Sequence, residues 1–475
     1  MPDLLLGPII GGLSPTGANP WGRATGEAIL HAWLGELPDL SDAQLAGISM
    51  PLTPDTGYAG VAPLHNLTPN THYHYTLNLQ DTPPDPGQGP YPEFTTFPVE
   101  QQLTGFSFAF GSCFRPLSEH GGTIFRDLEA RRQENDLRFI LLLGDQIYAD
   151  AYEYNGIGKI ACSLPEYRDV YTYTWSRPPF RELLVNLPAF MILDDHEVDD
   201  DWGWVNNKRQ TARVPIWDRI IRRFQGRPQN ERRLPLHRVQ DALQAYWEHQ
   251  AMHAPAFKLP PLLDWRDQYT LLPDDPGSLA YSFTFGAAAF FVMDARSMRV
   301  LNRRHKTILG AGQWQALENW LLSVKNQYPV KFLVSSSSLL YRFWIDVARD
   351  RWSGFPQERR RLLNFLSTHD IQGVYILAGD LHAAHAVRVD LRTAAENTIS
   401  LWEFCSSPFE QEPNKFSQHT YWPLCSHPVK TQDRSFVVDQ NNYGIVRVNY
   451  SPTGRPIVKF EVYGENGQLL ATAGD

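Results

Sequence analysis

The sequence predicts an α/β fold, a layered domain with a small β-sandwich ahead of it, on three observations. Six short apolar runs follow residue 105, and each ends in polar or acidic residues: FSFAFGSC, FILLLGD, FMILDDHE, FFVMDAR, VKFLVSSSS and GVYILAGDLH. Amphipathic helical segments lie between them, among them TIFRDLEARRQE, VQDALQAYWEHQ, QWQALENWLLSV and ERRRLLNFLSTH. Before residue 99 the pattern differs, with strand-like alternation in AILHAWL and HYHYTLNL. Continuous apolar runs suit strands buried on both faces, and strands alternating with helices build layers.

The N-terminal unit is punctuated by Pro15, Gly17, Asn19, Pro20, Pro51 and Pro54. Its run LHNLTPNTHYHYTL resembles the corner of a fibronectin type III sandwich, where a leucine, a proline turn and alternating tyrosines precede the next strand. The loop DTPPDPGQGPYPE and the short run FTTFP close the unit, so residues 1–103 form one predicted domain and 104–475 the other. Within the second, 151–285 reads as long and irregular, a lid or wall over a site. The tail from 435 (SFVVDQ, YGIVRVNY, IVKFEVYG) reads as two or three closing strands.

With 475 residues, two domains are the default expectation. Hydrophobic residues at 43% and charged residues at 20% place the chain among globular proteins. The net charge of −9 disfavours nucleic-acid binding, which needs a positive field. A small anionic substrate stays compatible, because a bound cation reverses the local field. Four cysteines are too few for a disulfide framework. The start, MPDLLLGPIIGGLSPTG, lacks the basic residues of a signal peptide, and no stretch has the apolar length of a membrane span. These features point to a cytoplasmic protein, or to a secreted one whose signal is already removed.

In layered α/β folds the site gathers at the carboxyl ends of the strands, and here those ends carry the reactive residue types. DDHEVDDD places six carboxylates in eight positions, directly after FMIL. Two like charges about 4 Å apart repel by roughly 4 kcal/mol at an effective dielectric near 20. Such crowding beside a buried strand calls for cations or raised pKa values. In GDQIYAD, Gly144 lets the chain turn, Asp145 sits at the rim, and Tyr148 follows one turn later. A carboxylate shared by two metals and a phenolate on one of them suit a dinuclear hydrolase. Cys113, ending GSC, is either a thiolate ligand or a small buried hydrophobe. Asp380 and His382 in GDLH share one face if the strand continues through them. His385 reads as packing or as support.

Taken together, GSC, GDQIYAD, DDHE, DAR and GDLH, in that order, resemble the PhoD-like alkaline phosphatase family, a branch of the calcineurin-like metallophosphoesterases. The flanking YRDVYTYTWSRPPFRELLVNLPAFMILDDHEVDDDWGW and GAGQWQALENWL agree, and the likeness covers about 104–450. It implies an α/β/β/α sandwich and a dinuclear centre. Cys113, Asp145, Tyr148 and His382 are implied to hold one metal, and Asp145, Asp195 and Asp380 the other. The family implies iron plus calcium. The residue types agree, since thiolate and phenolate favour Fe3+ and an all-oxygen site favours Ca2+, Mg2+ or Mn2+. One departure is visible: SSSS (335–338) stands where the wider superfamily supplies another histidine ligand.

The expected chemistry is hydrolysis of a small phosphate ester by a cation-activated hydroxide, bridging or terminal, attacking phosphorus in line. Arg296 is the first candidate for neutralising the phosphoryl oxygens and Arg115 the second; each alternatively bridges the acidic loop. His196 would protonate the leaving oxygen, oriented by Asp195 or Asp294. The arginine-rich stretch 206–238 is a rim or a solvated face, and Trp202, Trp204, Tyr152 and Tyr154 wall the pocket or pack. The alternatives are a phosphodiesterase or phospholipase acting on diesters, and a non-catalytic binding protein with structural metals. The oligomeric state is not legible.

Overall fold

The computed structural model describes residues 1–116, 121–200, 202, 211–213, 233–255, 279–299, 306–341, 351–393, 395–419, 421 and 423–475. Two antiparallel sheets come first. One joins Leu4–Gly11, Gly17–Ala24 and Ala59–Val61, with Leu64–His65 pairing on the second strand. The other has the order Gln44–Ile48, His31–Gly35, His72–Asn78, Glu93–Thr95. Thr68 N donates to Tyr73 Oη at 3.2 Å and closes the turn that leads into His72–Asn78.

All six apolar runs are strands, divided between two larger sheets. The six-stranded sheet has the order Ala189–Met191, Leu137–Leu142, Phe106–Gly111, Asn442–Tyr450, Pro456–Gly464, Leu469–Gly474. Its first three strands run parallel. The seven-stranded sheet has the order Tyr281–Phe285, Ala288–Met293, Val330–Ser337, Val374–Gly379, Thr398–Cys405, Ala384–Arg392, Val429–Val438. Ala288–Met293, Val330–Ser337, Val374–Gly379 and Thr398–Cys405 are parallel to one another.

Side-chain alternation explains why these strands read as unbroken apolar runs. Phe290, Val292, Phe332, Val334, Tyr375 and Leu377 face the other sheet. The residues between them, Phe291, Met293, Leu333 and Ile376, join a second core with Trp314, Leu317 and Leu321 of the helix Gly310–Val324 and Leu362 and Leu366 of Pro356–Thr368. A period of two with both faces buried leaves few polar positions, and Lys331, an exception, donates to the Tyr328 and Gln372 carbonyls. The sheets meet through aromatic rings: Phe108 lies 5.6 Å from Phe290 and 5.3 Å from Phe332. Phe404 and Phe460 stack at 4.9 Å farther along.

Two expectations need correction. The stretch read as irregular contains the helices Leu164–Trp175 and Pro178–Asn186, besides Leu236–His249. Ser163 and Glu166 form a capping box, an S-x-x-E signal present in SLPEYRDV. The tail also starts earlier and is larger: Val429–Val438 edges the seven-stranded sheet, and three further strands complete the other. The β unit packs firmly on the helices. Trp21 Nε1 donates to the Glu248 carbonyl at 2.9 Å, and Tyr75 Oη donates to the Val185 carbonyl at 2.8 Å. Among the described residues, no helix is long and apolar enough to cross a membrane.

Candidate dinuclear metal centre

The parallel strands of both sheets deliver their carboxyl ends to one place. Cys113 follows Phe106–Gly111, Asp145 follows Leu137–Leu142, and Asp194 to Glu197 follow Ala189–Met191. Arg296 and Asp380 arrive from the facing sheet, after Ala288–Met293 and Val374–Gly379. Turning the chain so abruptly costs backbone strain. Cys113 (φ 63°), Asp145 (φ 54°), Asp380 (φ 63°) and His382 (φ 55°) all lie in the left-handed region, roughly 1–2 kcal/mol each for an L-residue. Gly144 (φ 96°) takes the tightest step without that cost; a Cβ there would stand 2.4 Å from Asp194 Cβ.

Four carboxylates meet at these ends. Among the described residues, Asp145, Asp194, Asp195 and Asp380 each bring an oxygen within 4.8 Å of the others, and Asp145, Asp195 and His196 form a second such set. At that spacing each anionic pair repels by roughly 3 kcal/mol at an effective dielectric near 20. Arg296 is fully buried among them. It pairs with Asp194 through Nε, and its Nη2 lies 3.3 Å from Asp195 Oδ1 and 3.8 Å from Asp380 Oδ2. One guanidinium does not balance four acids. Asp194 Oδ2 remains buried with no hydrogen-bond donor.

Softer donors stand on the opposite side of Asp145. Asp145 Oδ2 accepts from Cys113 Sγ at 3.3 Å and from Tyr148 Oη at 3.4 Å. Ser407 Oγ donates to Cys113 Sγ at 3.3 Å and accepts from His382 N at 3.2 Å, tying thiol and histidine loops together. His382 Nδ1 lies 2.9 Å from the Glu412 carbonyl, so Nδ1 carries the proton and Nε2 keeps its lone pair. Beneath the site Glu197 is a keystone. It accepts from the backbone N–H groups of Asp145 (3.1 Å), Gln146 (2.7 Å) and Asp194 (2.8 Å), and from Gln250 Nε2 (3.2 Å).

Protonation follows from this crowding. Burial, with neighbouring acids behind it, raises Asp145 well above the carboxylate range and lifts Asp194 to about 7, against the pull of Arg296. Burial lifts Glu197 to about 7 and, with Asp380, pushes the Cys113 thiol up to about 12. His382 is lowered to about 4 by burial and then by His196. Burial alone would lower His196, but Asp150, Asp145 and Asp195 outweigh it and hold the imidazole protonated.

A family model for the PhoD-like phosphatases matches residues 108–455, the span that supplies every strand end described above. The chain belongs to the PhoD-like phosphatase family. Alkaline phosphatase D of Bacillus subtilis is 23% identical over 354 residues, which is 67% of this chain and 52% of that protein. The match thus spans about half the length of that relative. The solved structure of PhoD is 19% identical with a TM-score of 0.68, over 99% of this chain and 92% of the other. A purple acid phosphatase from yellow lupin (Lupinus luteus) seeds is 13% identical with a TM-score of 0.58, over 100% of this chain and 74% of the other. Both share the layered sandwich.

For this PhoD-like chain the residues present fit a dinuclear centre: a surplus of buried acid, an orphaned carboxylate oxygen, and a thiol and a phenol on Asp145. Among the described residues the histidine whose donor atom lies within 4.8 Å of these carboxylates is His196; His382 and Cys113 join neither set. Several expected roles shift. Asp380 and His382 do not continue a strand; the strand ends at Gly379 and both lie in a left-handed bend. Asp294 does not orient His196. Its carboxylate accepts from the backbone N–H groups of Leu279 (3.1 Å), Arg296 (3.0 Å) and Ser297 (2.9 Å) and from the Ser297 hydroxyl, so it holds the DAR turn. Asp195 is not the partner of the His196 ring either. Asp150 is, with its Oδ1 2.8 Å from His196 Nδ1. Arg296 bridges the acids, and Arg115 lies 3.5 Å from Glu153. Of the serines in the histidine's expected place, Ser336 donates to Asp194 Oδ1 at 2.7 Å.

Sequence reasoning passed over Asp150, Asp194 and Glu197 as individuals, although all three lie in the quoted motifs. Trp202 is buried, whereas Tyr152 and Tyr154 are exposed. Trp204 and most of 206–238 lie outside the described residues. One outcome follows from the raised carboxylates and thiol. A ligand must be deprotonated to bind a cation, so loading the centre releases protons. Calorimetric titration of the metal-free protein near pH 7.5, in buffers of different ionisation enthalpy, is expected to give about two or more protons per pair of cations, with weaker apparent affinity at lower pH. Proton-neutral binding would contradict the assignment.

Proposed function

We propose that this PhoD-like chain is a metal-dependent phosphoric-ester hydrolase acting on small phosphate monoesters, diesters or both. The reading is carried by the nest of Asp145, Asp194, Asp195 and Asp380, with Cys113 and Tyr148 hydrogen-bonded to the shared Asp145. Cys113, Asp145, Tyr148 and His382 would hold one cation, Fe3+ by the preference of thiolate and phenolate. Asp145, Asp195 and Asp380 would hold a hard one, Ca2+ before Mg2+ or Mn2+. Asp194, adjoining that oxygen set, joins as a ligand or as the anchor of Arg296. Such a pair, when bound, supplies Lewis-acid charge and makes hydroxide available near neutral pH.

The chain's own groups supply the rest. His196 holds a proton at Nε2 for the leaving oxygen, with Nδ1 fixed by Asp150. Tyr148 lies against the imidazole at a ring separation of 4.2 Å and limits its rotation. Arg115 follows the thiol at the strand end and is the partly exposed cation available to a phosphate oxygen. Arg296, wholly buried, fixes the carboxylates and does not reach the substrate. The name of the Bacillus subtilis relative, alkaline phosphatase D, agrees with this chemistry.

The test is turnover of p-nitrophenyl phosphate and bis-p-nitrophenyl phosphate, together with elemental analysis of the same preparation. Turnover of at least one ester is expected, lost on chelation and restored by added cations. A metal-loaded protein that turns over neither ester would overturn the proposal. The ratio of the two rates decides between monoesterase and diesterase.

A further inference from the structure

A second cluster of metal-ligating residue types lies on the N-terminal β unit, on strands other than those that end at the dinuclear centre. His72 and His74 stand two residues apart on the strand His72–Asn78 and so project from one face. The neighbouring strand Glu93–Thr95 pairs antiparallel, with Glu93 opposite His74 and Thr95 opposite His72. Among the described residues, one donor atom from each of His72, His74 and Glu93 lies within 4.8 Å of the other two. The two imidazole rings meet edge to face at 4.9 Å.

The hydrogen bonds prepare these groups as ligands. His74 is buried, and its Nδ1 lies 3.1 Å from the Tyr91 carbonyl, which only accepts. Nδ1 therefore carries the proton and Nε2 the lone pair, the tautomer a metal-ligating histidine takes when a backbone carbonyl supports its other nitrogen. His72 Nδ1 is likewise tethered, 3.2 Å from Thr95 Oγ1. His72 Nε2 lies 3.2 Å from Glu93 Oε2. That is close to the ~3.3 Å separating two ligands on a tetrahedral ion with bonds of about 2.0–2.1 Å. Glu93 Oε1 is held from behind by Arg132 Nη1 at 2.8 Å and Gln133 Nε2 at 3.3 Å, which leaves Oε2 turned to the histidines. Arg132 also pairs with Glu129, so the two carboxylates and the guanidinium sum to one negative charge.

We infer that His72, His74 and Glu93 form a second metal site, for a divalent transition cation of the Zn2+ type. The cation sits between His72 Nε2 and Glu93 Oε2, which now face each other at 3.2 Å. Two imidazoles and one carboxylate make three ligands, and solvent beside the half-exposed His72 supplies the fourth. The donor set differs from the catalytic one: nitrogen-rich donors suit Zn2+, Co2+, Ni2+ or Cu2+ and are poor ligands for Ca2+ or Mg2+. Its place suggests its effect. A cation there joins two strands of the β unit and, through Glu93 and Arg132, the helix Thr123–Arg132 of the α/β layers.

The experiment is calorimetric titration of ZnCl2 into the full chain already carrying its catalytic cations. Wild type is expected to take up one further equivalent, and His72→Ala and Glu93→Gln to lose it or to bind about 10-fold or more weakly. CaCl2 titrated in place of ZnCl2 is expected to give no such event. His72 is half-exposed, so its truncation leaves the fold and the turnover of p-nitrophenyl phosphate unchanged, which checks each preparation. Equal zinc uptake by wild type and His72→Ala, or no extra equivalent in wild type, would overturn the inference.

Discussion

Asp145→Asn is expected to lower kcat/KM at least about 10^3-fold while making the metal-free protein more heat-stable. Both halves follow from one side chain. Asp145 is the carboxylate that meets the thiol and phenol on one side and the other acids on the other. Losing it removes a ligand from both halves of the centre, and a 10^3-fold loss corresponds to about 4 kcal/mol of transition-state stabilisation. Asparagine is the informative replacement because it tolerates the left-handed backbone at φ 54°.

The stability gain depends on a sign. Asp145 is raised well above the carboxylate range in the folded chain, first by burial. An acid with a raised folded pKa binds more protons folded than unfolded, so its contribution to stability falls as pH rises past about 3.9. The neutral amide escapes that penalty at pH 7, so the metal-free variant gains stability. In a chain of this size each 1 kcal/mol gained should raise the melting temperature by about 1 °C, and a rise is the expected outcome. Scanning calorimetry of the two metal-free proteins checks the second half, and elemental analysis should show the loss of cation. Activity within tenfold of wild type would remove Asp145 from the centre.

The six core strands were legible because burial on both faces leaves few polar positions, so Phe290 to Met293 or Val374 to Leu377 could be little else. The ligand-bearing ends were legible because acids, a thiol and a phenol follow such strands abruptly. What the side chains do at those ends was less so. Asp294 and Asp195 follow strands in the same way, yet one caps three backbone N–H groups and the other faces the nest. Asp150 and Glu197 act through partners distant in sequence, His196 and the turn at Asp145. No local pattern specifies such partners. The left-handed backbone of Asp380 and His382 was hidden for a related reason. Strain at non-glycine residues is imposed by the surrounding packing and leaves no compositional trace.

His196→Ala is expected to separate two classes of ester. With an alkyl phosphate the leaving alkoxide needs a proton, and removing a positioned acid should lower kcat roughly 10^2–10^4-fold. With p-nitrophenyl phosphate the leaving phenolate is stable unprotonated, and the loss should be about tenfold or less. The structure adds an intermediate case. Asp150 is buried, its Oδ1 lies 2.8 Å from His196 Nδ1, and its Oδ2 accepts from Asp200 N at 3.2 Å, so it is anchored in place. Asp150→Asn keeps the shape but removes the charge that fixes the imidazole as a proton donor at Nε2. Its effect should therefore follow the same ordering of leaving groups at a smaller amplitude. Bound metal is the necessary control, because His196 also lies within ligand distance of Asp145 and Asp195. Unchanged metal content with selective loss of the alkyl ester identifies a proton donor. Equal losses for both esters, accompanied by loss of a cation, would make His196 a ligand instead, and Asp150 the group that holds that ligand's ring in place.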